Sequence, residues 1–327
     1  MEDYRLVARQ FGGPETIVAE PLADRPVAPG MARVRHRAIG VNFIDTYHRS
    51  GLYALPLPAG LGVEAAGVVE ALGEGAQGVA AGDRVAYISA QPGSYASYAD
   101  VPADRLVRLP DWIDDETAAA VMLKGLTVQT MVTACARVPP GRRALVLAAA
   151  GGVGRMLVQW LVAIDATVIA HAGSPEKAAI AKRLGAATAL HGPFETLAAE
   201  VRAANGGAGV DVVFDGVGAA SWTASLDSIR PRGLMVSFGN ASGPVPPSSP
   251  LELASRGSLF LTRPRVYDFI ATRAELDGAA NALFAMVEGG KIDVEIGLRL
   301  PLADAAQAHR ALEARRTTGS VILIPES

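Results

Sequence analysis

The sequence predicts an α/β protein built around a doubly wound parallel sheet. From about residue 144, short apolar strand patterns alternate with amphipathic helix patterns, and this rhythm places helices on both faces of a parallel sheet. Residues 1 to about 122 instead carry many short strand patterns separated by Gly and Pro, which predicts a compact β-rich domain. A length of 327 residues is consistent with two domains.

The β-rich part begins with a period-two pattern in which Arg33, Arg35 and Arg37 alternate with other residues, as in a half-exposed strand. The predicted strands of this part cover residues 33–38, 67–70, 82–87, 95–99 and 107–109. A helical region starts near Asp115, and the Pro139-Pro140-Gly141 break ends it.

The alternating part predicts strands at 144–147, 167–170, 188–190, 210–214 and 233–238. Helices are predicted between them at 153–164, 175–184, 194–203 and 221–229. Two further helices are predicted at 271–288 and 302–315, followed by a strand at 321–324. A lone strand at this place would be an odd ending for the parallel sheet, so we expect it to return to the first domain.

Composition excludes several classes of protein. Half of the residues are hydrophobic, 19% are charged and the formal net charge is -3, so no electrostatic footprint for nucleic acid or an anionic membrane is present. Cys135 is the single cysteine, which excludes an internal disulfide and a Cys-rich zinc site. No signal peptide is evident, and Arg155 near the middle of the apolar stretch 145–164 argues against a membrane span. We therefore expect a soluble cytoplasmic protein.

The most informative segment is the turn AAAGGVG at residues 148–154, between a buried strand and an amphipathic helix. Small residues let the backbone approach a pyrophosphate, and the helix N-terminus presents N–H groups and the positive end of its dipole. A similar turn occurs in other α/β proteins, but the flanking strand and helix favour a dinucleotide. The predicted cofactor contacts here are Ala150, Gly151, Gly152, Val153 and Gly154, the last also allowing close helix–sheet packing.

The second strand predicts NADPH rather than NADH. NAD-binding proteins place an acidic residue at the end of this strand for the ribose 2′-OH. Here the strand is followed by Gly173 and Ser174, with Lys177 shortly after. A hydroxyl and a cation suit a 2′-phosphate, although Lys177 and, to a greater degree, Arg183 could simply form the solvated face of a helix.

Several ordered blocks of the chain resemble the quinone oxidoreductases of the medium-chain dehydrogenase/reductase superfamily, the zeta-crystallin-like group, and most of all the bacterial NADPH:quinone reductases. The matching blocks are NFIDTYHRSGLY (42–53), GLGVEAAG (60–67), GDRV (82–85), LKGLTV (123–128), AAAGGVG (148–154), FDGVG (214–218), GLMVSFGN (233–240) and LTRP (261–264). Together they span nearly the whole chain and are more specific than the glycine turn alone.

The resemblance implies a Rossmann domain at 126–265 inserted into a GroES-like catalytic domain formed by 1–125 and 266–327, with the active site in the cleft between them. It also implies a homodimer joined through the edge strand 258–262. Two departures bear on the cofactor, the first weakening the NADPH assignment and the second removing one expected basic cofactor contact. His191-Gly192 stands where relatives often carry a tyrosine over the adenosine phosphate, and Gly319-Ser320 replaces a common Gly-Lys pair.

Zinc-dependent members of the superfamily hold a catalytic zinc with a Cys, a His in a Gly-His-Glu block and a third ligand. This chain reads Gly62-Val63-Glu64 in that block and has no Cys near Asn42. Valine cannot ligate zinc, so no metal site and no metal Lewis acid are predicted. Glu64 is expected to be paired or hydrogen-bonded.

Without a metal, the substrate must already be an activated electrophile, as a quinone is. The enzyme then needs orientation and modest polarisation of the carbonyl. The predicted catalytic residues are Asn42 and Tyr47 as hydrogen-bond donors, Tyr53 at the cleft rim, and Asp45, which would orient Tyr47 or a water. A tyrosine could supply the proton, as could solvent. Tyr47 and Tyr53 could alternatively be packing residues with a polar tip.

The remaining cofactor contacts follow from the resemblance and from the ends of parallel strands, where ligands bind in such sheets. They are Thr127 beside the nicotinamide, Val217 and Gly218, and Phe238, Gly239 and Asn240 near the ribose or carboxamide. Arg263 would contact the phosphates or hold the dimer edge, and Lys124 would lie near the nicotinamide or form a surface salt bridge.

Two alternatives stay open. A reductase of 2-alkenals or enones would share the fold and cofactor. A non-catalytic dinucleotide-binding protein, structural like the crystallins or binding RNA, would not need Asn42 and Tyr47. The small net charge and the absence of interleaved aromatic and basic residues argue against RNA.

Overall fold

The computed structural model describes residues 3–326 and divides the chain into two compact units. The first comprises residues up to Lys124, Thr272–Ala280 and the part from Val294 onward, and the second comprises Gly125–Ala271 and Asn281–Asp293. Residues 266–271 and 281–293, which the sequence-based division assigns to the first domain, therefore lie in the second unit.

The first unit is β-rich up to residue 108. Its elements are β1 (Tyr4–Ala8), β2 (Ile17–Pro21), β3 (Met31–Val41), α1 (Phe43–Ser50), β4 (Ala59–Gly60), β5 (Glu64–Leu72), β6 (Arg84–Ile88), β7 (Tyr98–Pro102) and β8 (Val107–Arg108). Strand β3 pairs antiparallel with β5 and with β7, so it lies at the centre of this unit. The predicted alternation of buried and exposed side chains in β3 holds for Val34 and His36, which are buried. Arg33 was expected to be exposed but is also buried, and it donates a hydrogen bond to Asp100.

Helix α2 (Asp115–Gln129) follows and continues as a π-helical turn over Thr130–Cys135. By length and composition this apolar helix could cross a membrane, but 67% of its most apolar window is buried inside the protein. The core helices of soluble proteins have the same composition.

The second unit alternates strands and helices as predicted. Its elements are β9 (Arg143–Val146), α3 (Gly152–Ala163), β10 (Thr167–Ala172), α4 (Pro175–Arg183), β11 (Thr188–His191), α5 (Phe194–Ala204), β12 (Val210–Asp215), α6 (Trp222–Asp227), β13 (Ile229–Ser237), α7 (Leu251–Ser255), β14 (Phe260–Thr262) and α8 (Val266–Phe269). All six strands are parallel, in the order β11-β10-β9-β12-β13-β14. Because β9 and β12 are central, their carboxyl ends meet at one edge of the sheet.

The C-terminal part contains α9 (Arg273–Glu288), β15 (Ile296–Pro301), α10 (Ala305–Glu313) and β16 (Ser320–Ile324). Strand β16 pairs antiparallel with β3, with Val321 opposite Val41. The expectation that the closing strand returns to the first domain is confirmed. The apolar core of this unit is formed by residues from both ends of the chain, including Val34, Leu106, Leu302 and Leu323.

Candidate active site

The glycine-rich turn connects β9 to α3. Ala148 adopts a positive φ of 50°, and the N–H of Gly151 donates to the Ala148 carbonyl at 2.9 Å. Gly151 is the N-cap of α3, and no side chain of the described residues caps this helix. The N–H groups of the first helical turn therefore need an acceptor from outside the helix, which suits an anion.

Gly154 lies where α3 approaches the turn most closely. A Cβ atom at this position would lie 2.8 Å from the Ala149 Cα and closer still to the Ala148 carbonyl oxygen. Real Cβ atoms do not approach backbone at such distances. Gly154 therefore lets α3 lie close to the turn at Ala148 and Ala149, because any larger residue would push the helix away from it.

The end of β10 carries the residues expected to distinguish NADPH from NADH. Ser174 is the N-cap of α4, and its Oγ accepts the Lys177 N–H at 3.3 Å. The exposed Glu176 carboxylate is also bonded to the Ser174 hydroxyl, which lowers the pKa of Glu176. Sequence reasoning considered only the strand tip and missed this acid, which stands two residues further on.

Asp215 organises the loop after β12, and sequence reasoning did not single it out. This fully buried carboxylate accepts the backbone N–H groups of Val217 at 2.7 Å and Gly218 at 3.2 Å. Its other oxygen accepts the hydroxyls of Ser221 and Ser225, each at 2.7 Å. Asp215 thus holds the backbone of Val217 and Gly218 in place. In the sequence, only its position in the FDGVG block pointed to such a role.

The neighbouring loop after β13 packs tightly against the loop that follows β12. A Cβ on Gly216 would lie 2.8 Å from the Phe238 ring, and one on Gly239 would overlap the Gly216 backbone. Arg263 donates to the Ser237 Oγ at 2.8 Å and to the Gly239 carbonyl at 3.2 Å. Among the predicted cofactor contacts, the structure therefore brings Val217, Gly218, Phe238, Gly239, Asn240 and Arg263 together at the carboxyl ends of neighbouring strands.

Thr127 lies on α2, three residues after Lys124, and is half-buried. Thr127 belongs to the second unit and lies on the part of α2 that leads into the π-helical turn. Turns of this kind often occur at functional sites in helices.

In the first unit, Asn42 and Asp45 form the start of α1. The N–H of Asn42, the N-cap residue, donates to the Asp45 carboxylate at 2.8 Å, which satisfies a donor at the helix start. Asn42 is 8% exposed and Asp45 is fully buried. Burial raises the pKa of the Asp45 carboxyl to about 7, against the lowering effect of its hydrogen bonds from Asn42 and Tyr95.

Glu64 is the centre of a buried polar cluster. Its carboxylate accepts the Asn42 side-chain amide at 2.7 Å, the Lys124 ammonium at 3.1 Å and the Leu123 N–H at 2.6 Å. A Cβ on Gly40 would overlap this carboxylate, so glycine makes the space for it. The expected pairing of Glu64 is confirmed, whereas a surface salt bridge at Lys124 is wrong because Lys124 is only 5% exposed.

Tyr47 and Tyr53 pack against each other, edge to face, with ring centroids 5.2 Å apart. Tyr47 is buried and Tyr53 is 38% exposed, which is compatible with a place at the rim of a site. The Asp45 carboxylate was expected to orient Tyr47 or a water, and the structure adds a partner that the sequence did not suggest. It accepts the Tyr95 hydroxyl at 2.9 Å, and Tyr95 lies fifty residues away in the sequence.

Two family models match the chain, the GroES-like domain of alcohol dehydrogenases over residues 28–111 and the zinc-binding dehydrogenase family over residues 152–285. A quinone oxidoreductase of Pseudomonas aeruginosa is 45% identical over 322 residues, which are 98% of this chain and 99% of that relative. The chain belongs to the quinone oxidoreductase family. The resemblance seen in the sequence blocks is therefore confirmed, as is the combination of a GroES-like domain with a Rossmann domain.

Two further relatives are informative. The crystal structure of the Escherichia coli quinone oxidoreductase complexed with NADPH superposes with a TM-score of 0.95 at 42% identity, covering 98% of this chain and 100% of that one. A 2-haloacrylate reductase from a Burkholderia species is 39% identical over 329 residues, 98% of each chain.

The zinc implied by the broader dehydrogenase family does not fit the residues present. Val63 has no ligating atom, and the Glu64 carboxylate is already neutralised by Lys124 and bonded to Asn42. Among residues 3–326, no cluster of three or more His, Cys, Asp or Glu side chains could hold a metal ion. Val63 and Glu64 therefore do not form a zinc site.

NADPH, by contrast, fits the residues of the second unit. The uncapped start of α3 offers N–H groups to a pyrophosphate, and Gly154 keeps the helix close enough to do so. The tip of β10 ends in small and hydroxyl residues followed by Lys177, although Glu176 places one negative charge nearby. Asp215 and Arg263 fix the two loops expected beside the ribose and carboxamide.

Proposed function

We propose that this protein is an NADPH-dependent quinone reductase that transfers hydride without a metal. The observation that carries the proposal is the uncapped, glycine-lined start of α3 in a chain whose relatives are quinone oxidoreductases, one of them crystallised with NADPH. When bound, NADPH supplies a hydride to an acceptor. The residues of this chain bind the cofactor, position the acceptor and handle the proton.

On the cofactor side, we propose that Ala150 to Gly154 hold the pyrophosphate and that Ser174 and Lys177 bind the 2′-phosphate. Gly173 contributes by being small. A Cβ there would meet no atom of the described residues within 4 Å, so this position leaves space at the strand tip. Thr127, Val217, Gly218 and the 238–240 loop would line the nicotinamide and its ribose, with Arg263 holding the loop in place.

On the acceptor side, we propose that Asn42 and Tyr47 donate hydrogen bonds to the quinone carbonyl. Asn42 has two amide hydrogens, and the bond to Glu64 fixes the orientation of the amide group. A donor held rigidly by a buried carboxylate stabilises developing negative charge without having to reorganise. Tyr53 would close the exposed side of the site through its edge contact with Tyr47.

The direct test measures NADPH oxidation with 1,4-benzoquinone and naphthoquinone, with and without EDTA. We expect turnover with quinones, unchanged by EDTA, and a lower KM for NADPH than for NADH. Lys177→Ala should raise the NADPH KM about tenfold and leave the NADH KM unchanged, since one charge-assisted phosphate contact is lost. Lys182→Ala, in the last turn of the same helix, is the matched control. Failure to reduce any quinone would refute the proposal, and EDTA sensitivity would refute the metal-free part.

A second candidate is a reductase of conjugated carbonyls such as 2-alkenals or haloacrylates. The specific observation is the 39% identity to a 2-haloacrylate reductase over 98% of both chains. The same assay with 2-chloroacrylate and a 2-alkenal in place of the quinone separates the two. Turnover of these acceptors with no turnover of quinones would select the second candidate.

We also propose a homodimer joined through the edge of the parallel sheet, in a soluble cytoplasmic protein. Strand β14 pairs with β13 on one side, and Phe260 and Leu261 are 63% and 44% exposed. An exposed apolar edge strand favours pairing with a second copy. Leu261→Lys should convert a dimer to a monomer in analytical ultracentrifugation, whereas Leu251→Lys, also at an exposed leucine but in α7, should not. A monomeric wild-type protein would refute this proposal.

A further inference from the structure

The start of α4 differs from the start of α3, because its own residues satisfy the donors of its first turn. Pro175 is the first helical residue and has no N–H to offer. The N–H of Lys177 donates to the Ser174 Oγ at 3.3 Å, and the N–H of Ala178 donates to the Ser174 carbonyl at 2.9 Å. The N–H of Glu176 donates to the carboxylate of the same residue. The start of α4 therefore offers an incoming anion no free backbone donor from Pro175 to Ala178.

The Glu176 carboxylate also holds the one hydroxyl at this helix start. It accepts the hydrogen of the Ser174 hydroxyl while its side chain remains exposed to solvent. The carboxylate thus lies over the first turn of α4, bonded to a hydroxyl and to a helix N–H. These are the kinds of donor that bind a phosphate at a helix start. An anion that belongs to the chain itself therefore already occupies this place.

The adenosine ribose of a dinucleotide would lie close to this helix start. Strand β10 pairs in parallel with β9, and the Ala149 N–H in the glycine-rich turn donates to the His171 carbonyl in β10 at 3.1 Å. When a pyrophosphate lies at the turn after the first strand of such a sheet, the residues after the second strand contact the ribose 2′ position. Gly173 keeps this place open, since a Cβ there would meet no described atom within 4 Å.

We infer that Glu176 is a specificity-determining residue that limits the preference of this protein for NADPH over NADH. This inference rests on the proposed function, in which Ser174 and Lys177 bind the 2′-phosphate. The phosphate must displace the Glu176 carboxylate from the Ser174 hydroxyl and then lie beside a like charge. The 2′-hydroxyl of NADH meets no such repulsion and can donate to a carboxylate. Lys177 and Glu176 are adjacent residues that act on the phosphate with opposite sign.

Two variants separate the charge of Glu176 from its hydrogen bond. Glu176→Gln removes the charge but keeps an oxygen that can accept the Ser174 hydroxyl, whereas Glu176→Ala removes both. Both variants should fold, because the side chain is exposed. Glu195→Gln is the matched control. Glu195 is also an exposed acid at the second position of a helix, α5, in the same unit.

The first measurement is binding without turnover. Adenosine 2′,5′-diphosphate and 5′-AMP, which differ by the 2′-phosphate alone, are titrated into each protein by isothermal calorimetry at low salt. Glu176→Gln should bind the diphosphate about tenfold more tightly than wild type, and Glu176→Ala at least as tightly as Glu176→Gln, because one like charge is removed. Neither variant should bind 5′-AMP more tightly than wild type does. The gain should shrink at high salt, which screens exposed charges.

The control and Lys177→Ala decide how a negative result is interpreted. Glu195→Gln should change the affinity for the diphosphate by less than about twofold, since its charge does not contact the phosphate. The inference would be overturned if neither Glu176 variant bound the diphosphate more tightly while Lys177→Ala bound it less tightly. An equal gain in 5′-AMP affinity, or an equal gain in Glu195→Gln, would also overturn it, because the effect would not depend on the phosphate or on Glu176.

The second measurement is the ratio of kcat/KM for NADPH to kcat/KM for NADH, with 1,4-benzoquinone as acceptor. This ratio should rise about tenfold in Glu176→Gln and fall in Lys177→Ala, following the binding of the diphosphate. A ratio that stays at the wild-type value in Glu176→Gln would overturn the inference. Absence of quinone reduction by the wild type would instead refute the proposed function, whatever the calorimetry shows.

Discussion

The buried ion pair between Glu64 and Lys124 allows a sharp test of how the first unit is held together. The side chains are 0% and 6% exposed, and their charged atoms are 3.1 Å apart. Replacing Lys124 with methionine keeps the approximate length of the side chain but leaves the Glu64 charge buried, with the Asn42 amide and the Leu123 N–H as its remaining donors among the described residues. Removing one partner of a buried pair costs about 3–5 kcal/mol.

Replacing Glu64 as well should recover most of the stability lost in Lys124→Met. Glu64→Gln alone leaves the Lys124 ammonium buried and should cost a similar amount, whereas the double variant buries no unpaired charge. We expect the double variant to lie within about 2 kcal/mol of wild type, so that the two single losses are strongly non-additive. The glutamine introduced by Glu64→Gln retains an oxygen that can accept the Leu123 N–H.

The assay is urea unfolding of the four proteins at pH 7, followed by circular dichroism and by tryptophan fluorescence. The matched control is the surface pair Arg299–Glu116, whose atoms are 2.6 Å apart but whose side chains are 53% and 40% exposed. Arg299→Met should cost no more than about 1 kcal/mol, because water screens an exposed pair. The reasoning would be refuted if Lys124→Met cost as little as this control, or if the two single losses simply added.

Three further predictions follow from single residues. Burial raises the pKa of Asp45 from its ordinary 3.8 to about 7, so the folded protein retains a proton that the unfolded chain releases above about pH 4. Wild type should therefore lose stability between pH 4 and 7 relative to Asp45→Asn, by up to about 4 kcal/mol in urea unfolding, and a pH-independent difference would contradict this. Gly154→Ala should cost about 1–3 kcal/mol through overpacking and weaken NADPH binding in a fluorescence titration. Gly278→Ala, in the interior of α9 with open space around it among the described residues, should slightly stabilise the protein instead. Asp215→Asn should raise the NADPH Kd about tenfold, because hydrogen bonds to a charged acceptor that hold Val217 and Gly218 are weakened, and an unchanged Kd would exclude this role.

Much of the second unit could be predicted because its signals are local. A turn such as AAAGGVG needs only its flanking strand and helix to be recognised, and the steric need for Gly154 follows from that geometry. The strand and helix boundaries of the alternating region agree with the structure within a few residues for the same reason. Strand 233–238 is the main exception, since β13 begins at Ile229, where the sequence pattern predicts the end of a helix.

The polar partners were harder to predict because they join residues that are distant in sequence. Asp45 was expected to orient Tyr47 or a water, but its partner Tyr95 is fifty residues away, and His309, which contacts the same hydroxyl, lies on the last helix. Lys124 could have been a surface residue on the sequence pattern alone, but the structure buries it and pairs it with Glu64 across sixty residues. Asp215 was visible in the FDGVG block, but its four hydrogen bonds were not.

The sequence by itself determined the fold class, the dinucleotide-binding turn and the absence of zinc-ligating residues at Asn42 and Val63. These properties depend on residue type, on periodicity and on neighbours in the chain. Only the tertiary structure decided which polar groups are buried together, and therefore that Asp45 titrates near neutral pH while His309 stays neutral. Desolvation and hydrogen bonding depend on which atoms fold against one another. Asp45 and His309 are 264 positions apart in the chain, and the fold brings both to the hydroxyl of Tyr95.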